Sequence, residues 1–161
     1  MPKKEFVKDT GCCKRFNPKP WDGKTVVFKG RPFVKAHVIS FFHMPLNFGQ
    51  VMKGSMEKIW AAKAAPETPL CLSDENSLWG SDVYIAVGKH VPGMENVKIS
   101  GTFLSKVYEG GYGDIPKWVE GMHKFVKSKG KKLKKLYFFY TMCPSCAKAY
   151  GQNYTVLLAR V

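Results

Sequence analysis

Apolar residues recur along this chain in two rhythms that take turns. From Pro32 to His43 the run PFVKAHVISFFH is rich in β-branched and aromatic residues and predicts a strand. The spacing then lengthens: Val51, Met52, Met56, Ile59 and Trp60 follow helical periodicity behind Asn47, a good N-cap residue with Gln50 three places on. That helix is expected to end near Pro66. Two short strand candidates follow, PLCLS (69–73) and SDVYIAVG (81–88), with DENSLWG between them.

The same order then begins again. GTFLSKVY (101–108) predicts a strand, and Asp114 caps a helix with Pro116 tolerated in its first turn. Ile115, Trp118, Val119, Met122, Phe125 and Val126 form one apolar stripe on it, and it stops at Gly130 behind Lys127 and Lys129, cations that suit a helix C-terminus. LYFFYTM (136–142) and YTVLLARV (154–161) read as the last two strands. The pattern is therefore strand–helix–strand–strand, twice. It predicts an α+β domain of two pseudo-repeated halves, about 32–90 and 97–161, with a mostly antiparallel sheet and helices on one side. Residues 1–31, rich in Lys, Pro and Gly, read as an arm packed on the 32–161 domain, with NPKPWDGK (17–24) as turn chemistry. The seam between two similar halves is a natural place for a cleft.

Composition narrows the picture. The chain has 161 residues, 45% of them hydrophobic, enough for one domain with its own core. Lys and Arg outnumber Asp and Glu by 26 to 12, a balance that attracts anions without specifying a fold. No stretch approaches the length of a membrane-spanning segment and the start has no signal-peptide core, so a cytoplasmic protein, monomer or weak dimer, is expected. The cluster KFVKSKGKKLKKL (124–136) reads as a helix C-terminus and a wet loop, and no nucleic-acid-binding module accompanies it.

The segment DVYIAVGKHVPGMENVKISGTFLSKVYEGGYGDI (82–115) resembles the centre of the GyrI-like effector-binding family. It has a hydrophobic-aromatic strand ending in Gly, a Val-Pro loop, and a strand running into a Gly110-Gly111-Tyr112 turn before the second helix. Tyr137 to Pro144 is similar to the later Tyr-Glu-x-Tyr-x-x-x-Pro element, with Phe138 where many members carry Glu. The resemblance covers about 36–161. It implies a small-molecule-binding domain without the DNA-binding helices of some relatives, and Phe138 weakens any preference for cationic drugs. Standalone proteins of this kind further imply a detoxifying hydrolase that opens strained, cyclopropane-bearing electrophiles. The alternatives are a non-catalytic ligand-binding or sequestering module and a zinc-stabilised interaction protein.

A water-activating base needs a carboxylate or imidazole near the reacting atom. Glu109, at a strand end before two glycines, is the first candidate, with Asp74, Glu75 and Asp82 of the first-half acidic segment behind it. Tyr140 is the candidate hydroxyl for stabilising developing charge. Trp79, Tyr84, Tyr108, Tyr112, Phe138 and Tyr140 would form a flat aromatic cleft for a planar hydrophobic ligand, with His43 able to assist proton transfer. Each of these residues has an ordinary structural job as well, in core packing or turn chemistry.

Five cysteines stand at 12, 13, 71, 143 and 146. Cys143-Pro-Ser-Cys146 supplies half of a thiolate zinc site, and the adjacent pair Cys12 and Cys13 is the available complement. A thioredoxin-like redox role lacks its helix-start context, and plain thiols in a loop are the alternative.

Overall fold

A computed structural model describes residues 18–41, 44–66, 70–74, 80–140 and 154–161. In chain order the elements are β1 (Lys24–Phe41), β2 (Met44–Pro45), α1 (Phe48–Ala61), β3 (Cys71–Asp74), β4 (Gly80–Ala86), β5 (Glu95–Glu109), a 3₁₀ turn (Tyr112–Asp114), α2 (Ile115–Ser128), β6 (Lys135–Tyr140) and β7 (Tyr154–Arg160). All the strand pairings are antiparallel. The order β2-β1-β4-β3-β6-β7-β5 returns on itself because β1 also pairs with β5. Six strands thus close into a barrel, with β2 as a short extension on β1.

Closure rests on the length of β1. The sequence pattern starts this strand at Pro32, but it begins at Lys24, and its first residues pair with β5 from Lys24 opposite Ser105 to Phe28 opposite Gly101. A register shift between Phe28 and Arg31 lets the strand bend and continue, with Gly30 N–H donating to Ser100 Oγ at 2.7 Å. Residues Phe33 to Ile39 then pair with β4 as well. A flat sheet with both helices on one side is therefore replaced by a closed wall with the helices outside it.

Alternation along each strand sorts the side chains. Phe28, Phe33, Leu72, Tyr84, Ile99, Phe103, Tyr137, Val156 and Leu158 point inward and fill the barrel. Val34, Val38, Val83 and Ile85 point outward under α1, where Ile59 meets them. Leu104, Phe138, Leu157 and Ala159 point outward under α2, against Ile115, Trp118, Met122 and Val126. Burial of such side chains contributes roughly 1.5–3 kcal/mol each, which holds the helices to the wall.

The helix ends agree with the sequence in position and differ in chemistry. Asn47 precedes α1, but its side-chain oxygen accepts the Ile39 backbone N–H at 2.7 Å and ties the turn after β1 rather than capping the helix. Asp114 precedes α2 without a side-chain cap bond, with Pro116 in the first turn as expected. One end of the barrel is plugged by the turn before β1. Trp21 sets its ring edge against Phe139 at 5.6 Å, the Ser105 hydroxyl donates to the Trp21 carbonyl, and Asp22 Oδ1 accepts the Val107 N–H at 3.2 Å.

Candidate functional site

The other end of the barrel is open, and its geometry follows from strand length. Arg160 ends β7 opposite Phe103, so the first half of β5, Glu95 to Ile99, pairs with β1 and has no β7 beside it. The wall parts there, leaving a cavity of about 360 Å³ lined by Lys35, Tyr84, Val97, Lys98, Ile99, Ser100, Tyr137 and Arg160. These residues come from β1, β4, β5, β6 and β7, so the cavity draws on both halves of the chain. Tyr84 and Tyr137 meet edge to face, centroids 5.8 Å apart and planes at 87°, and Phe103 backs Tyr137 at 6.0 Å. Two faces of apolar ring are thereby presented to whatever enters.

Charged side chains ring the aromatics. Lys135 Nζ donates to Asp74 Oδ2 at 3.0 Å and stands 5.3 Å from the Tyr137 ring centre. Lys35 Nζ lies 3.8 Å from Asp82 Oδ2 and 5.9 Å from the Tyr84 ring centre. Asp82 Oδ1 accepts a hydrogen bond from His37 Nδ1 at 3.2 Å. Because a carboxylate only accepts, that bond fixes the proton on Nδ1 and leaves the lone pair of the neutral ring on Nε2. The imidazole leans across β4 at Gly80, where a β-carbon would stand 2.8 Å from Nε2. A side chain at position 80 would push the ring off Asp82.

Protonation follows the same surroundings. Burial raises the Tyr84 hydroxyl above its ordinary value, the nearby Lys135 and Lys35 pulling the other way, so it stays a neutral donor at pH 7. Burial alone would lower Lys135, but the hydrogen bond and charge of Asp74, with smaller help from Tyr137 and Tyr84, reverse this and raise it. Cys71 on β3 is pushed up to about 12 by desolvation and remains an unreactive thiol at neutral pH.

The structure brings together Tyr84, Asp82 and Asp74 from among the residues singled out in the sequence. Glu109 is exposed at the plugged end, ten positions along β5 from Ile99 and so about 30 Å from the cavity at roughly 3.3 Å per residue. Tyr108 faces outward, stacked on Trp118 of α2 at 6.0 Å, its hydroxyl buried against Gly121. Phe138 is buried under α2, and its neighbour Tyr137 occupies the interior. Glu75, Trp79, His43, Cys12, Cys13, Cys143 and Cys146 lie outside the described residues, as do the side chains of Tyr112 and Tyr140. Among the described residues no group of His, Cys, Asp and Glu could hold a metal ion, and no helix is long and apolar enough to cross a membrane.

Lys35, His37, Tyr137 and Arg160 are the site residues that the sequence reading passed over. The signal for two of them was present: alternation from Phe33 puts Lys35 and His37 on the inward face of β1. A second cavity, of about 340 Å³, lies between α1 and the start of β5 and has no aromatic ring in its lining.

A closed antiparallel barrel with two outer helices and an aromatic opening fits a GyrI-like domain. The chain belongs to the family described as bacterial hydrolase, whose model matches residues 3–161. In fold it is similar to the solved structure titled the EcmrR C-terminal domain, with a TM-score of 0.59 and 12% sequence identity over 87% of this chain and 96% of that one. No curated protein matches it.

Proposed function

We propose that this protein binds a planar hydrophobic small molecule in the cavity beside Tyr84 and Tyr137 and adds water to it. The observation that carries this reading is the Asp82–His37 pair, two residues along the same faces of β1 and β4 from Lys35 and Tyr84, which line the aromatic cavity. Asp82 orients the ring with the Nε2 lone pair turned away from it, so Nε2 can take a proton from water as the oxygen attacks an electrophilic carbon. The carbon–leaving-group bond breaks, the protonated imidazole returns its proton to the leaving group, and the sum is one water added. Lys35 or the Tyr84 hydroxyl steadies the negative charge that develops. The family description supports a hydrolytic reaction, and strained electrophiles of the cyclopropane-bearing type are the proposed substrates, with detoxification as the outcome. We also read the two halves as a structural repeat, since each sets its last strand between its first and its middle strand, as β1-β4-β3 and β5-β7-β6.

The test is a fluorescence titration with planar hydrophobic compounds, cyclopropane-bearing electrophiles among them, followed by mass analysis of each ligand. Saturable binding with a product one water heavier is expected, and Asp82→Asn should cut turnover by about 10²–10⁴-fold with binding retained. Binding without turnover would leave a ligand-sequestering module. Absence of saturable binding by every compound would overturn the reading.

A further inference from the structure

The inference here rests on the binding reading just given and names the charge of the ligand. Lys35 and Arg160 stand at inward positions of the lining, Lys98 borders it from the outward face of β5 between Val97 and Ile99, and the lining contains no carboxylate. Asp82 answers Lys35, at 3.8 Å, but among the described residues Lys98 and Arg160 make no ion pair. Arg160 is held by shape. Its side chain lies across Gly101 of β5, where a β-carbon would stand 2.9 Å from Nε and 3.5 Å from Cδ and Cγ. Gly101 has φ +146°, a conformation that side chains with a β-carbon rarely adopt. A glycine at this position therefore keeps a guanidinium at the lip of an aromatic cavity.

Like charges crowded on the rim of a low-dielectric opening repel each other and focus a positive field into it. An anion relieves that repulsion, and the guanidinium fork matches the oxygen pair of a carboxylate or phosphate. We infer that the ligand is an aromatic anion whose ring meets Tyr84 and Tyr137 and whose oxyanion sits against Arg160. The protonated Tyr84 hydroxyl adds a neutral donor at the same opening.

A matched set of probes separates charge from ring: 2-naphthoate, 2-naphthyl phosphate, 2-naphthylmethanol and 2-naphthylmethylammonium, titrated against the full chain at low and high salt. One of the two anions is expected to bind at least about tenfold tighter than the alcohol, with the advantage shrinking as salt rises. The tighter anion names the oxyanion class. Arg160→Gln should erase most of that advantage, whereas Lys98→Gln, at an exposed position on the outward face of β5, should leave most of it in place without disturbing the fold. Equal affinity for all four probes, or tightest binding of the ammonium, would overturn the anionic ligand and keep the aromatic site. No binding by any probe would overturn the site itself.

Discussion

The two halves of β5 face the same barrel and have opposite fates. Phe103 to Ser105 is paired with β1 on one edge and β7 on the other, and Phe103 is fully buried among Phe28 and Tyr137. Glu95 to Ile99 is paired with β1 alone, and its inward residues Val97 and Ile99 border a cavity. Both stretches send every second residue inward, Val97 and Ile99 in one and Phe103 in the other. What separates core from site is the second neighbour, and so the point at which β7 stops.

Truncation of inward side chains should expose this difference most. Phe103→Ala is expected to cost about 3–5 kcal/mol in denaturant unfolding, because it empties a fully packed position. Val97→Ala, on the parted wall and half-buried, should cost under about 1 kcal/mol, at roughly 0.8 kcal/mol per buried methylene. Equal costs would mean that the opening is packed as tightly as the core. Gly101→Ala probes the boundary between the two stretches. It is expected to cost about 1–3 kcal/mol through backbone strain and to displace Arg160, read as weaker binding of an anionic probe.

A smaller effect should come from pH. Folded Lys135 holds its proton more tightly than an unfolded lysine, because Asp74 faces it. Its contribution is present in full below the ordinary lysine value of 10.5 and is lost as pH rises through that value and past the higher folded one. Asp74→Asn should flatten the decline of stability above this pH; an unchanged slope would remove the pair from the account. The smallest effect is expected at Tyr108→Phe. This change deletes a buried hydroxyl that has no hydrogen-bond partner among the described residues, so stability should hold within about 0.5 kcal/mol or rise slightly.

Periodicity made the element order legible, since Val51 to Trp60 and Ile115 to Val126 carry stripes that only helices produce. It did not reveal closure. The part of β1 from Lys24 to Arg31 is interrupted by Lys29 and Gly30 and falls in the stretch 1–31 that reads as an arm, whereas it pairs with β5. Nor could alternation choose a face in KLYFFY, where both faces are aromatic: Phe138 went under α2 and Tyr137 inward. The site was hardest to read because its defining residues are charged. Lys35 and Arg160 look like solvated surface in a basic chain; alternation places Lys35 inward, but only the parted wall makes room for a charge there.

The long first strand also sets an order of events for the nascent chain. Lys24 finds Ser105, 81 positions further along the sequence, and Lys35 finds both Tyr84 and Glu95. Until β5 emerges, β1 has an uncovered edge beside a row of aromatic rings, and the loop to be closed is about half the length of the chain. Such distant pairing places this barrel among slow-folding topologies, for which the vulnerable period is the one between synthesis of the first strand and arrival of its second partner.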